Sequence, residues 1–177
     1  PEIAVVTAIE FDHGDIYRDL DEIARAFRLM LRQIPQSGLL IACGDQPGSL
    51  ALANANRAQP VCRTLTYGFS EKSDFLGRDL GVSTQNTPDG SAMRRLEVSR
   101  DGSRWGLFDV PLAGRHNLLN TLAALAVASE LGIPPEPLRD ALASFRGVRR
   151  RMEVFHKAGA WVFVDDFAHH PTAIRET

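Results

Sequence analysis

The sequence predicts an α/β fold, an incomplete doubly wound, mostly parallel sheet with a small antiparallel appendage. Three features carry that prediction. Apolar runs rich in β-branched residues at 3–7, 38–44 and 61–67 alternate with helical patterns, the order of a parallel sheet assembled from β-helix-β units. Between residues 70 and 113, Gly-, Ser- and Asp-rich turns separate short alternating segments, which is hairpin patterning. The first and last strand-like runs empty into loops rich in Asp and His, and in open α/β sheets ligands bind beyond the carboxyl ends of strands.

Taken in order, the run 3–7 reads as a strand buried on both faces, followed by the polar loop AIEFDHGDIYRD. A helix is expected over 19–34, with Asp19 and Glu22 in capping-box spacing and Leu20, Ile23, Ala24, Phe27, Leu31 and Ile34 on one face. A second strand over 38–44, a helix over 47–57 and a third strand over 61–67 follow. In the appendage the alternating segments lie near 80–84, 93–99 and 105–110, and Arg100-Asp101-Gly102-Ser103 reads as a hairpin turn. The run GRHNLLNTLAA, residues 114–124, then passes from a polar start into a helical stripe through Leu118, Leu122 and Leu125. Its His116 and Asn120 are four apart and share a face; Asn117 reads as a candidate N-cap. Pro134-Pro135-Glu136 opens a further helix that Gly147 ends. Beyond it lie Arg149-Arg150-Arg151, an amphipathic strand over 152–155, and a strand over 161–164 that runs into Asp165-Asp166-Phe167-Ala168-His169-His170-Pro171.

Composition narrows the function. The chain has 177 residues, 44% hydrophobic content and a formal net charge of -2, enough apolar surface for a core and no basic excess to suggest nucleic acid. No apolar run approaches the roughly 20 residues of a membrane span, so membrane insertion is not expected. Cys43 and Cys62 lack metal-site spacing, and a reducing, cytoplasmic setting is the default. Each polar stretch has a plain reading as a solvated loop or helix exit. Two acids beside two histidines after a buried strand, however, serve no packing purpose. Together the stretches offer acid/His loops suited to a hard cation, arginines suited to phosphate and a His/Asn face suited to a heterocycle.

On IEFDHGDIYRDL, TYG at 66–68, GRHNLLNTLAA, FRGVRRRMEV and VDDFAHHPTAI, the chain resembles the bacterial Mur ligases, ATP-dependent amide-forming enzymes of peptidoglycan synthesis. The resemblance implies that residues 1–149 are part of their central ATP-binding domain. Residues 150–177 would begin a Rossmann-like, peptide-binding C-terminal domain. It implies ATP and Mg²⁺, with His13 at the metal, His116, Asn117 and Asn120 at the adenine, Arg151 at the γ-phosphate, Asp166 at the ribose or orienting the incoming group, and His169 towards the amine. The implied substrates are UDP-N-acetylmuramate and, from Phe11, Ile16, Phe167 and Ala168, the murein tripeptide L-alanyl-γ-D-glutamyl-meso-diaminopimelate of peptidoglycan recycling. Addition of L-alanine is the alternative, and a non-catalytic nucleotide-binding or interaction module is the alternative of another class. The family's glycine-rich phosphate loop, its acidic metal ligand and its UDP-binding domain are expected upstream of Pro1, and this stretch alone is expected to be inactive. Ala8 stands where the family usually carries Asn, and no lysine precedes Lys72, which leaves no carbamylated-lysine device near the DH pair.

Overall fold

The computed structural model describes residues 1–87 and 92–176. In chain order the elements are β1 (Ile3–Val6), α1 (Leu20–Leu31), β2 (Leu39–Cys43), α2 (Pro47–Ala58), β3 (Arg63–Gly68), β4 (Phe75–Asn86), β5 (Ala92–Arg100), β6 (Ser103–Val110), α3 (Arg115–Glu130), α4 (Pro135–Ala143), β7 (Glu153–Ala158), β8 (Trp161–Asp165) and α5 (Pro171–Glu176). One sheet takes β1 to β6 in sequence order, and β7 and β8 form a separate two-stranded sheet.

The parallel half follows from the chain's patterning. All five residues of β2 are buried, because helices cover both of its faces. Leu39, Ile41 and Cys43 join a core with β4–β6 and with Leu118, Leu122 and Leu125 of α3. Leu40 and Ala42 face the opposite core, with Ile23 and Leu31 of α1 and Leu52 and Ala53 of α2. The predicted capping box at α1 is present: Asp19 accepts from the Glu22 N–H at 2.9 Å, while the Glu22 carboxylate accepts from the N–H of Arg18, one residue before the cap, at 2.8 Å.

The antiparallel appendage expected from the sequence is present as β4 to β6, joined edge to edge to the parallel strands as a continuation of the same sheet. β4 runs parallel to β3 but pairs with it only at Tyr67↔Phe75 and Gly68↔Leu76. Since the last residues of β3 meet the first of β4, the β4–β6 half extends past the carboxyl ends of β1 to β3. β5 reverses on β4 and β6 on β5, so β6 regains the direction of β1 to β3 and delivers the chain to the same edge. The β5–β6 turn is the hairpin predicted at Arg100-Asp101-Gly102-Ser103, with Asp101 and Gly102 at φ 51° and 75°, as a tight two-residue hairpin turn requires.

Several boundaries differ from the sequence pattern. α1 stops at Leu31 and not at Ile34, and α4 stops at Ala143, leaving Gly147 at φ 82° in the following loop. α3 starts at Arg115 with Gly114 as its N-cap, at φ 89° and without a side-chain cap. Asn117 is therefore not the cap. It sits inside the first turn, its amide donating to the Ala113 carbonyl at 2.7 Å.

Candidate functional site

β1, β2, β3 and β6 all discharge their chains at one edge, and four loops meet there. The first follows β1. Its histidine, His13, is exposed and adopts a left-handed φ of 54°. Its N–H bonds the Asp12 carboxylate at 2.7 Å, and that bond, helped by the nearby His13, His170 and His169 rings and opposed by burial, holds the Asp12 pKa below its ordinary value. Among the described residues no group of three or more His, Cys, Asp and Glu side chains is placed to hold a metal. Magnesium prefers oxygen ligands and keeps several waters. Of this pair, the Asp12 carboxylate has the oxygen chemistry that suits such an ion, and the His13 imidazole nitrogen does not.

The second and third loops, after β2 and β3, are stitched by Asp45. Its carboxylate accepts from the N–H groups of Phe69 and Ser70 at 2.9–3.1 Å and from the Arg115 guanidinium at 2.7 Å. Next to it, Gln46 caps α2, its Oε1 accepting from Gly48 and Ser49, while its Nε2 donates to Glu10 at 3.0 Å. A Cβ on Gly48 would lie 2.3 Å from the Ile9 carbonyl oxygen. Only glycine lets the first turn of α2 come this close to the chain leaving β1.

The fourth contribution is the start of α3. His116 folds back over Gly114, whose absent Cβ would lie 2.7 Å from the imidazole Cε1. Its Nδ1 is buried and has no partner among the described residues. An orphaned buried ring nitrogen costs on the order of 1–3 kcal/mol, so the geometry suits a heterocycle that would satisfy it. Asn120 is exposed one turn on.

Residues 150–170 close over this edge. Arg151 lies between Arg150 and Met152, which are both left-handed at φ 59° and 52°, a backbone that non-glycine residues adopt at a cost. The turn holds its shape through bonds to the acid/His loop: the Phe167 N–H donates to the Arg150 carbonyl at 2.9 Å, and the Met152 N–H donates to Asp166 at 2.8 Å. The Arg150 and Arg151 guanidinium carbons sit 4.6 and 6.0 Å from the Phe167 ring centroid. Asp166 also accepts from Ala168, and the N–H groups of Ala168 and Met152, then Arg151 and His116, hold its pKa below the ordinary value. Arg151 and His116, chosen separately from sequence, thus each lie within electrostatic reach of Asp166.

The two histidines of the loop divide differently from the sequence expectation. His169 is exposed and bonds only locally, to the Phe167 carbonyl at 2.9 Å. His170 makes the long-range contacts: Nε2 meets the Phe11 carbonyl at 3.0 Å, and Nδ1 lies 3.4 Å from Glu10 and 3.3 Å from the Thr172 N–H. One tautomer serves both backbone contacts, with Nε2–H donating to Phe11 and Nδ1 accepting from Thr172. Asp45, Arg115, Glu10, Gln46 and His170 are the residues that sequence reasoning passed over. An acid directly after a buried strand and a polar residue directly before Pro47 were the signals for Asp45 and Gln46.

Comparison with known proteins agrees with this architecture. The family described as the Mur ligase middle domain matches residues 1–128. The chain is similar to UDP-N-acetylmuramate–L-alanine ligases from Roseiflexus sp., at 38% identity over all of this chain and 39% of the relative, and from Arthrobacter sp., at 40% over 99% and 35%. It therefore spans about two fifths of the length of these curated relatives. In fold it is similar to MurF from Acinetobacter baumannii, with a TM-score of 0.77 at 22% identity over 99% of this chain and 36% of that one. It is similar also to a murein peptide ligase from Psychrobacter arcticus, with a TM-score of 0.66 at 28% identity over 98% and 33%. A match running from β1 into α3, with relatives aligned across the whole length, leads to one conclusion: the chain belongs to the Mur ligase middle-domain family.

Proposed function

We propose that this chain is the nucleotide-handling part of a ligase that spends ATP to join L-alanine to UDP-N-acetylmuramate. The observation that carries the reading is the convergence of His116, Asp166 and Arg151 at the carboxyl edge of the sheet, beside the orphaned His116 Nδ1. In this reading the His116 and Asn120 face takes the adenine, with Asn117 tightening the turn beneath them, and Asp166 holds the ribose. Arg151, aimed by its two left-handed neighbours, meets the charge that develops on the transferred phosphoryl group. Magnesium, with His13 as a near neighbour, would supply neutralisation of phosphate charge. The chain's own work is positioning for a reaction in which the muramyl carboxylate takes the γ-phosphoryl group as ADP leaves, and the amine then attacks the acyl carbon, losing a proton as phosphate leaves. Residues 150–177 then open the domain that receives the amine, with His169 exposed towards it.

L-alanine is preferred over the murein tripeptide because the L-alanine ligases among the relatives are 34–41% identical over essentially the whole chain. The sequence expectation had ranked them the other way. The tripeptide remains a second reading on Phe167 and Ala168 and on murein peptide ligases at 28–29% identity. The complete protein, given ATP, Mg²⁺ and UDP-N-acetylmuramate, is expected to release phosphate with a kcat/KM for L-alanine well above that for L-Ala-γ-D-Glu-meso-diaminopimelate. The reverse preference selects the tripeptide ligase, and no phosphate release with either amine would leave a non-catalytic module.

A further inference from the structure

The geometry points to Arg115 and Asp45 as a positioning pair that sets the nucleotide-reading face of α3, an inference that rests on the ATP-ligase reading above. α3 begins in a way that local chemistry does not stabilise. Its N-cap is a glycine with no side-chain cap, and its first turn holds no acid. Its first residue is instead a cation, the wrong sign for the positive end of a helix dipole. The compensation is tertiary. The Arg115 guanidinium donates to Asp45 at 2.7 Å and lies 4.3 Å from the Phe69 ring centroid. Asp45 is only 12% exposed and is itself fixed by the N–H groups of Phe69 and Ser70. Gly68 makes room for it, since a Cβ there would fall 2.5 Å from the Asp45 carboxylate.

The pair therefore ties the start of α3 to the carboxyl ends of β2 and β3, which are rigid, central strands. The next residue is His116, whose Nδ1 is buried and unpartnered among the described residues. The Asn117 amide closes the turn locally on the Ala113 carbonyl, and Arg115 is the side chain of this turn that ties it to the ends of β2 and β3. Stacking on Phe69 and a directed bond to one carboxylate fix a plane as well as a distance, which a lysine would not do. Arg115 and Asp45 do not touch the nucleotide in this account; they act through His116.

The test uses the complete ligase, with steady-state kinetics and, separately, calorimetric binding of a non-hydrolysable ATP analogue. Arg115→Lys and Asp45→Asn are each expected to raise KM for ATP and Kd for the analogue on the order of fivefold, with kcat within about twofold and KM for UDP-N-acetylmuramate unchanged. The double variant should be no worse than the poorer single one, because both break the same link. Arg63→Gln, which loosens the opposite end of α3 by removing the bond to Glu130, should leave KM for ATP unchanged. Unaltered ATP affinity in both single variants, equal loss of affinity for both substrates, multiplying effects in the double variant, or the same ATP effect from Arg63→Gln would each overturn the inference. Should Asp45→Asn fail to fold, Arg115→Lys decides alone. A wild-type protein that binds the analogue but releases no phosphate would sink the ligase reading while leaving this pair to be judged on binding.

Discussion

Asp166 is the side chain whose environment says most about its work. It accepts two backbone N–H groups, from Ala168 and Met152, across the junction between the arginine turn and the acid/His loop. Those bonds favour the charged carboxylate, so its folded pKa lies below the ordinary value of 3.8. A depressed carboxylate contributes stability that is fully present above the unfolded pKa and is lost as pH falls through the folded one. Asp166→Asn should therefore unfold at lower urea than wild type at about pH 7, with the gap closing as pH drops below the usual carboxylate range. Urea midpoints of the two proteins across that range check it, and a gap that stayed constant would mean the bonds do not depend on charge. The candidate residues that were legible are those declared by local pattern: His116 and Asn120 by helical spacing, Asp166 by its place after a strand. Arg115 and Asp45 are 70 positions apart, and His170 reaches Phe11 across 159. No local pattern encodes such pairs, which is why the long-range contacts of His170 were not legible in the sequence.

At the scale of elements, α3 and β4 fit closely. A Cβ on Gly77 would fall 2.5 Å from Leu122 Cδ1, and Leu122 is fully buried. Gly77→Ala should destabilise the fold by about 1–3 kcal/mol, the usual range for overpacking a core. A thermal melt reads this directly, and an unchanged Tm would mean that Leu122 moves aside freely. Periodicity revealed the strands and helices of the six-stranded sheet, because burial on one or both faces leaves its mark every 3.6 or 2 residues, whereas the strand before the acid/His loop, expected to be buried, is β8 and is mostly exposed. The ends were less visible: α1 and α4 both close sooner than their apolar stripes, since Ile34 and Phe145 sit in the loops that follow and not in a further turn. The pairing of β4 with β3 was hidden altogether, because strand partners are chosen by tertiary packing.

For the whole molecule, the two residue pairs between β3 and β4 have a mechanical meaning. A ladder this short is a hinge line, and α3, which packs against β2, β3 and β4, lies across it as a splint. The amides of Phe75 and Leu76 should exchange with solvent faster than those of Ile41 and Leu65, and Leu122→Ala, which thins the splint, should speed them further. Protection equal to that of β2 in both proteins would show the seam to be rigid without help. If the seam yields, then the angle between the half that carries Asp12, His13 and Asp45 and the half whose last strand leads into His116 is governed by α3 and by the bonds that Asp74, just before β4, accepts from Thr66 and Arg57, and not by a long backbone ladder. The spacing between the Asp12 loop and His116 would then be a lever, with its fulcrum under Leu122, and side chains remote from both could set its gauge.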